Sequence, residues 1–483
     1  MIRFALVAVV MVLVALPLVG QQPATPVPQP AAPAPAPTTI EPTGPITPPA
    51  QEGMPLTLDQ AVATALRYNP GLRVSEEGIA IARDRLAAAR AARMPDASAQ
   101  VVYTRVSEVS SISMFFPNPD TGEFELRTFS LGKEENVTLQ GVVTAPVYTG
   151  GALTAGVRAA KAGVEAAALS SERERQQIAF AVRQNYYGVL TALEQTTVAR
   201  QNLAAAEEQL RVARAFFEAG SAPQFDVIRA EAGVQAAQLG VTAAVNQEKL
   251  ARAALNNVMG VSQDCVFNLT TALAREQVVG DLGKLESTAL AQRPDLLSLR
   301  ANERALRERI TIARAQRRPT VGLNWTYTAP VSETTFSMGG WTLSLAASLD
   351  IFNFGRTRAA VNEARHTVDQ TMALEEQLRQ GVSLQVRQAY LNANTAFEQI
   401  STAAAQLRAA NEALRIAQVR YREGEGTLLE VTDAQAARES AATNYNAAVF
   451  NYNVAVSSLE LALGSGPVAG AQPVTCPLPA GRP

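Results

Sequence analysis

The stretch NVTLQGVVTAPVY alternates in polarity. Val137, Leu139, Gly141, Val143 and Ala145 fall on one side of an extended chain, Asn136, Thr138, Gln140 and Thr144 on the other, and only Val142 breaks the rule. The stretch GGWTLSLAASLDIF does the same, with Trp341, Leu343, Leu345, Ala347 and Leu349 opposed to Thr342, Ser344, Ala346, Ser348 and Asp350. A period of two over about ten residues, with aromatics at the ends, predicts strands with one apolar and one wet face, the pattern of a lipid-facing barrel strand. A half-buried strand of a soluble sheet gives the same signal in any single segment.

Between these strands the period changes. Residues 151–219 contain no proline, and a helix of that length would span about 100 Å. Leu203, Leu210 and Phe217 lie seven apart, as do Leu407, Leu414 and Tyr421, with Ala, Gln, Arg and Glu around them. So narrow a seam predicts a coiled-coil wall that is wet on both sides rather than a filled core.

The elements occur twice. ARAARMP at Ala89–Pro95 returns as ARAQRRP at Ala313–Pro319, an offset of 224 that also relates Pro70 to Pro294, Arg83 to Arg307 and Tyr103 to Tyr327. Beyond the strands the offset is 204 and relates Arg183 to Arg387, Tyr186 to Tyr390, Leu210 to Leu414, Gly220 to Gly424 and Gly260 to Gly464. Shared heptads alone would not hold Pro, Tyr and Gly at one spacing. The offset drops between Thr328 and Gly355, so the first copy carries a longer insertion there. Each copy predicts a helix interrupted near Pro70 or Pro294, a proline at 95 or 319 that turns helix into strand, two strands, a long helix starting at Gly151 or Gly355 and ending at Gly220 or Gly424, and a return helix to Gly260 or Gly464. The predicted organisation is 1–20 signal peptide, 21–55 proline-rich spacer, 56–284 first repeat, 285–464 second repeat and 465–483 tail.

Composition narrows the function. MIRFALVAVVMVLVALPLVG has one positive charge, Arg3, before an apolar run, a secretory signal pattern for which a retained membrane anchor is the alternative. Residues 21–55 hold 12 prolines and read as a spacer, or as a proline-rich ligand for a partner. The net charge of −2 gives no basic surplus for nucleic acid. One histidine, His366, and two cysteines, Cys265 and Cys476, leave too little for a zinc site. His366 reads as a solvated helix residue, and YTGGALTAG lacks the lysine of a phosphate-binding loop. No catalytic constellation and no cofactor site is predicted. Four strands cannot close a barrel, and open edges in lipid would leave backbone groups unpaired, so the strands must be pooled between identical chains.

The duplicated order, together with PVYTGG and DIFNFGR at the strand-to-helix junctions and YREGEGTLLEVTDA near the end, resembles the TolC family of outer-membrane efflux proteins over about Leu56–Gly464. The resemblance implies a mainly α fold with membrane β: a homotrimer in which four strands per chain make a 12-strand barrel, continued by a long α-helical barrel in the periplasm. It implies a passive, non-enzymatic exit duct of a tripartite efflux or type I secretion system. The expected partners are outer-membrane lipid, a periplasmic adaptor and an inner-membrane pump of RND or ABC type.

Gly220, Gly424 and Gly426 then become turns at the far tips of the helical hairpins. Tyr148, Gly150, Gly151, Phe352, Phe354 and Gly355 become the strand-to-helix junction and its aromatic girdle. Glu430 and Asp433 match the acidic constriction, and Tyr421 and Asp226 match residues that tie the tip helices shut. The family's basic partner in that tie falls at Gly426 and is missing. A simpler reading of Asp226, Glu430 and Asp433 is that acids are favoured in the first turn of a returning helix. Cys265 and Cys476 follow the two return helices at equivalent places, and both a disulfide and two free thiols fit. The competing class is a trimeric coiled-coil surface protein, which would not need two tandem hairpins.

Overall fold

The computed structural model describes residues 53–117, 122–130, 134–273, 280–331, 339–465 and 472–474. The signal segment, most of the spacer and Cys476 lie outside them. In chain order the elements are β1 (Met54–Leu56), α1 (Leu58–Tyr68), α2 (Pro70–Ala91), β2 (Asp96–Arg105), β3 (Ser111–Pro117), β4 (Phe124–Ser130), β5 (Glu135–Thr149), α3 (Ala152–Glu218) and α4 (Gln224–Met259). They continue with β6 (Phe267–Leu269), α5 (Leu282–Gln292), α6 (Pro294–Ala315), β7 (Thr320–Val331), β8 (Gly340–Ser348), α7 (Arg356–Arg422) and α8 (Leu428–Leu463).

The duplicated order stands. Pro70 and Pro294 do not break helices from within: each is the first helical residue after an extended Asn69 or Arg293, where its missing N–H costs nothing. The expected strand over 339–352 stops at Ser348, because its partner β7 begins at Thr320, directly after Pro319. The insertion in the first copy is itself a hairpin, β3 with β4, which the alternation did not predict. The spacer ends earlier than expected: Met54 and Pro55 belong to β1, which pairs in parallel with β6. The buried Tyr186 hydroxyl ties this small sheet down, donating to Leu56 O at 2.9 Å and accepting from Thr271 N at 3.1 Å.

Four strands form one antiparallel sheet in the order β2-β5-β7-β8. Its register sorts the two faces. Val101, Leu139 and Ala329 lie in one cross-strand row, Ala97, Val143, Trp325 and Leu343 in another, all on the apolar face. Gln100, Gln140 and Thr328, and Thr144 with Asn324, lie on the polar face, where the Thr144 hydroxyl donates to Asn324 Oδ1 at 3.2 Å. Most of the apolar face is uncovered, with Trp341 67% and Leu345 68% exposed, while Ala329 on it is buried. A strand with one wet and one apolar face, neither packed on a core, fits a wall between lipid and water.

The helices repeat that open arrangement. Below the sheet α2 packs on α3, α3 on α6 and α6 on α7, the same lateral order as the strands they continue. Farther out α4 packs on α3, α3 on α8 and α8 on α7. Of the two heptads expected from sequence, only Tyr421 is buried, with Leu414 packed beside it; the rest of the buried seam is built from other residues. Leu203 and Leu210 are half-buried and Phe217 is exposed, whereas Asn202, Ala206 and Ala213 are buried, as are Ala403 and Ala417 on α7. Alanine lets the helix backbones approach closely, so the small residues take the seam and the leucines flank it.

The return helices end where the short helices break. Gly260 and Gly464 close α4 and α8 with φ of +72° and +75°. A Cβ on Gly260 would stand 2.5 Å from Tyr68 O, so both conformation and space require glycine there. Asn69 Nδ2 donates to Val258 O at 2.7 Å, while at the equivalent joint Arg293 Nη1 donates to Ala462 O at 3.4 Å. Arg293 is 2% exposed and also reaches Asp295 at 2.5 and 3.1 Å and Gln385 Oε1 at 2.7 Å. Arg173 donates to Leu461 O at 2.9 Å and lies 3.8 Å from Asp295. Burial alone would raise the Asp295 pKa, but its bonds to Arg293 and the nearby Arg173 outweigh that and leave it below the ordinary carboxylate value.

The native state therefore keeps Asp295 ionised. Its stabilisation is complete above the ordinary carboxylate range and is lost as pH falls through the lowered native value. Asp295→Asn strands a buried guanidinium and should cost about 3 kcal/mol at neutral pH. Thermal unfolding of detergent-solubilised protein across pH should show this gap shrinking on acidification; a gap independent of pH would refute the assignment.

Candidate functional site

Helices α3 and α7 are each 67 residues long and leave the sheet together, so their far ends lie about 100 Å away. There the two hairpins turn. Gly220 and Gly424 take φ of +74° and +77°, as a helix-ending left-handed residue must. Gly426 is different: it has no positive φ, but a Cβ there would meet Arg420 Cβ and Tyr421 N at 3.1 Å. The tight packing of the turn, not its handedness, holds Gly426.

The two tips pack on each other. Tyr421, 8% exposed, meets Phe216 edge-on at 5.5 Å, within a cluster of Ala417, Leu428 and Val431. Sequence periodicity pointed to Phe217, which faces outward. The Tyr421 hydroxyl is buried without a hydrogen-bond partner among the described residues. Desolvation raises its pKa, and the negative charge of Asp226 raises it further. Asp226 in the first turn of α4 thus lies near Tyr421 without bonding to it.

Glu430 lies in the first turn of α8, but Asp433 lies in the second, beyond the reach of the helix dipole that the simpler reading invoked. Thr427 caps α8 by accepting from Glu430 N at 3.3 Å. The sequence Thr427-Leu-Leu-Glu430 would permit a reciprocal box. Glu430 instead turns to Arg420, whose Nη1 lies 3.2 Å away, and Arg420 Nη2 donates to Glu425 O at 3.2 Å. Arg420 is the residue of this tip that sequence reasoning missed. Its signal was available, since 420 and 430 are equidistant from the turn centre at 425. Asp433 is exposed.

At the other end of α3 and α7, Gly150, Gly151 and Gly355 take φ of +63°, +93° and +89°. Phe354 stands where the first copy has Gly150, yet adopts φ of +50°, the one non-glycine residue to do so among those described. That conformation costs an L-residue about 1–2 kcal/mol. Phe354 is 92% exposed and packs edge-on with Phe352 at 4.6 Å, and Tyr148 is also exposed. Strain that exposes two aromatic rings beside an uncovered sheet suits anchoring at a membrane surface.

Residues 61–261 and 285–465 match the sequence pattern of the outer membrane efflux protein family. The chain belongs to that family. The two matched segments coincide with the two copies, and the uncovered sheet is its outer-membrane part. Protein CyaE of Bordetella pertussis is 26% identical over 81% of this chain and 80% of its own length. Outer membrane efflux protein BepC of Brucella suis is 24% identical over 80% of each. The crystal structure of CusC, a transmembrane channel, superposes with a TM-score of 0.72 at 19% identity, over 85% of this chain and 92% of that one. For this outer membrane efflux protein the likeness to CusC fixes the fold. No group of three or more metal-binding side chains occurs among the described residues.

Proposed function

We propose that three copies assemble into a passive exit duct, with a 12-strand barrel in the outer membrane and a helical barrel in the periplasm. The observation that carries this is the matched pair of open arcs: a sheet that ends at β2 and β8, and a helical layer that ends at α4 and α7. The strands alternate in direction, so β8 of one copy meets β2 of the next antiparallel and the cylinder can close. Exposed apolar residues support the same closure along the helices, with Phe225, Ile228 and Leu239 on α4 and Leu384, Leu391 and Ile416 on α7. A periplasmic adaptor and an inner-membrane pump of RND or ABC type would supply cargo and energy.

In this reading the tips form the gate. Three copies of Glu430 and Asp433 would surround one axis, and a ring of like charge favours cations. Arg420 moderates that ring by pairing with Glu430 inside each copy, in place of the basic residue missing at Gly426. Tyr421 and Asp226, whose charge acts on the Tyr421 hydroxyl, would form a tie that tightens on closure. The tail supports a further assignment, Cys265 bonded to Cys476. Cys265 is disulfide-bonded, and Val474, two residues before Cys476, packs on the core that Cys265 borders. Intact mass after alkylation should show no added label without reduction and two labels with it; labelling of unreduced protein would remove the pairing.

Single-channel recording in planar bilayers tests the gate. The double variant Glu430→Ala/Asp433→Ala should raise conductance several-fold and reduce cation preference, while Arg420→Ala should increase cation preference. Selectivity unchanged in both variants would exclude these residues from the constriction.

A further inference from the structure

The β3–β4 hairpin belongs neither to the four-stranded sheet nor to the helical layer. It is a separate two-stranded sheet, joined to the edge strand β2 across residues 106–110. Its register defines two faces. Phe115 pairs with Leu126 and Pro117 with Phe124 on one, while Met114, Phe116 and Phe129 lie on the other, where Phe116 and Phe129 stack edge-on at 5.4 Å. Both faces are uncovered: Phe115 and Phe124 are each 69% exposed on the first, and Met114 45% and Phe129 46% on the second. An isolated hairpin is marginal in water, and one with exposed apolar side chains on both faces needs cover on both.

The strands of the main sheet bound where this cover can come from. β2 spans ten residues, about the length that crosses the hydrocarbon layer, and the hairpin follows at the end away from the helices. It therefore stands beyond the membrane. It is attached to the same edge that receives the neighbouring copy, so it continues that seam.

We infer that the hairpins of neighbouring copies pack face to face into an apolar collar around the outer mouth of the duct. The inference rests on the trimeric reading above. In a closed ring every hairpin has a neighbour on each side, which matches exposed apolar side chains on both faces. The faces differ, because the exposed Arg127–Glu125 pair, 3.9 Å apart, lies on the Met114 face only. Unlike faces suit the head-to-tail contact of a ring better than a two-fold contact between like surfaces.

Cysteine cross-linking of the full chain in outer membranes tests this. The double variant Met114→Cys/Leu126→Cys places one thiol on each face and should yield a covalent trimer on a non-reducing gel with a short bismaleimide. Each single variant should yield none. Absence of the covalent trimer, with sizing in detergent still showing trimers, would overturn the collar alone; monomers on sizing would overturn the ring and the collar with it. As a second readout, Phe115→Ser/Phe129→Ser should lower the temperature at which the trimer dissociates in mild detergent, and an unchanged temperature would also count against the collar.

Discussion

Among the described residues β2 and β8 have unpaired outer edges, and these constrain everything else in this molecule. Each edge is a row of backbone donors and acceptors, and in a hydrocarbon layer every such group left unsatisfied costs several kcal/mol. A soluble sheet could turn those edges to water or cover them. This one has an apolar face, carrying Trp341, Leu343 and Leu345, that seeks lipid, and four strands, too few to curl round and meet. In the proposed assembly its hydrogen bonds are completed by other copies. The helices inherit the constraint because each strand runs into a helix at the same lateral position, so the open sheet imposes an open helical layer.

Most of the wall is one helix thick, and its stability is concentrated in a few places. One is the buried cluster of Leu56, Val182, Tyr186, Leu255 and Met259, where α1 packs on α3 and α4. The alanine seam holds the long hairpins by close approach. The two joints, at Gly260 with Asn69 and at Gly464 with Arg293, weld return helices onto the breaks in the short ones. The copies solve the same problem with different chemistry. A neutral amide suffices in the first, and a buried guanidinium held by Asp295 and Gln385 serves in the second. At the tips, packing of Tyr421 on Phe216 joins the hairpins, and Arg420 offsets part of the charge that Glu430 brings.

Most of the architecture was legible in the sequence, for reasons that trace to particular residues. Pro70, Pro294, Gly220, Gly424, Gly260 and Gly464 mark breaks that any fold must respect, and their duplication fixed the order of elements. Strands β5 and β8 announced themselves because one face is wet and the other apolar. The β3–β4 hairpin did not, because the alternation in SISM and FELR is short and breaks at Phe115-Phe116 and at Thr128-Phe129. The seam misled because leucine carries a stronger hydrophobic signal than alanine, while close helix packing selects the smaller residue. Of the tip, the turns and the acids were legible. The Arg420–Glu430 pair required folding the turn back on itself, and the orphaned Tyr421 hydroxyl required knowing what surrounds it.

The central claim is that the sheet is completed between copies and not within one. Cryo-electron microscopy of the detergent-extracted protein tests it most directly. The account predicts particles with three-fold symmetry in which β8 of each copy pairs antiparallel with β2 of the next, giving twelve strands in all. Particles of a single chain, or a trimer in which β2 and β8 remain unpaired across the seam, would contradict it.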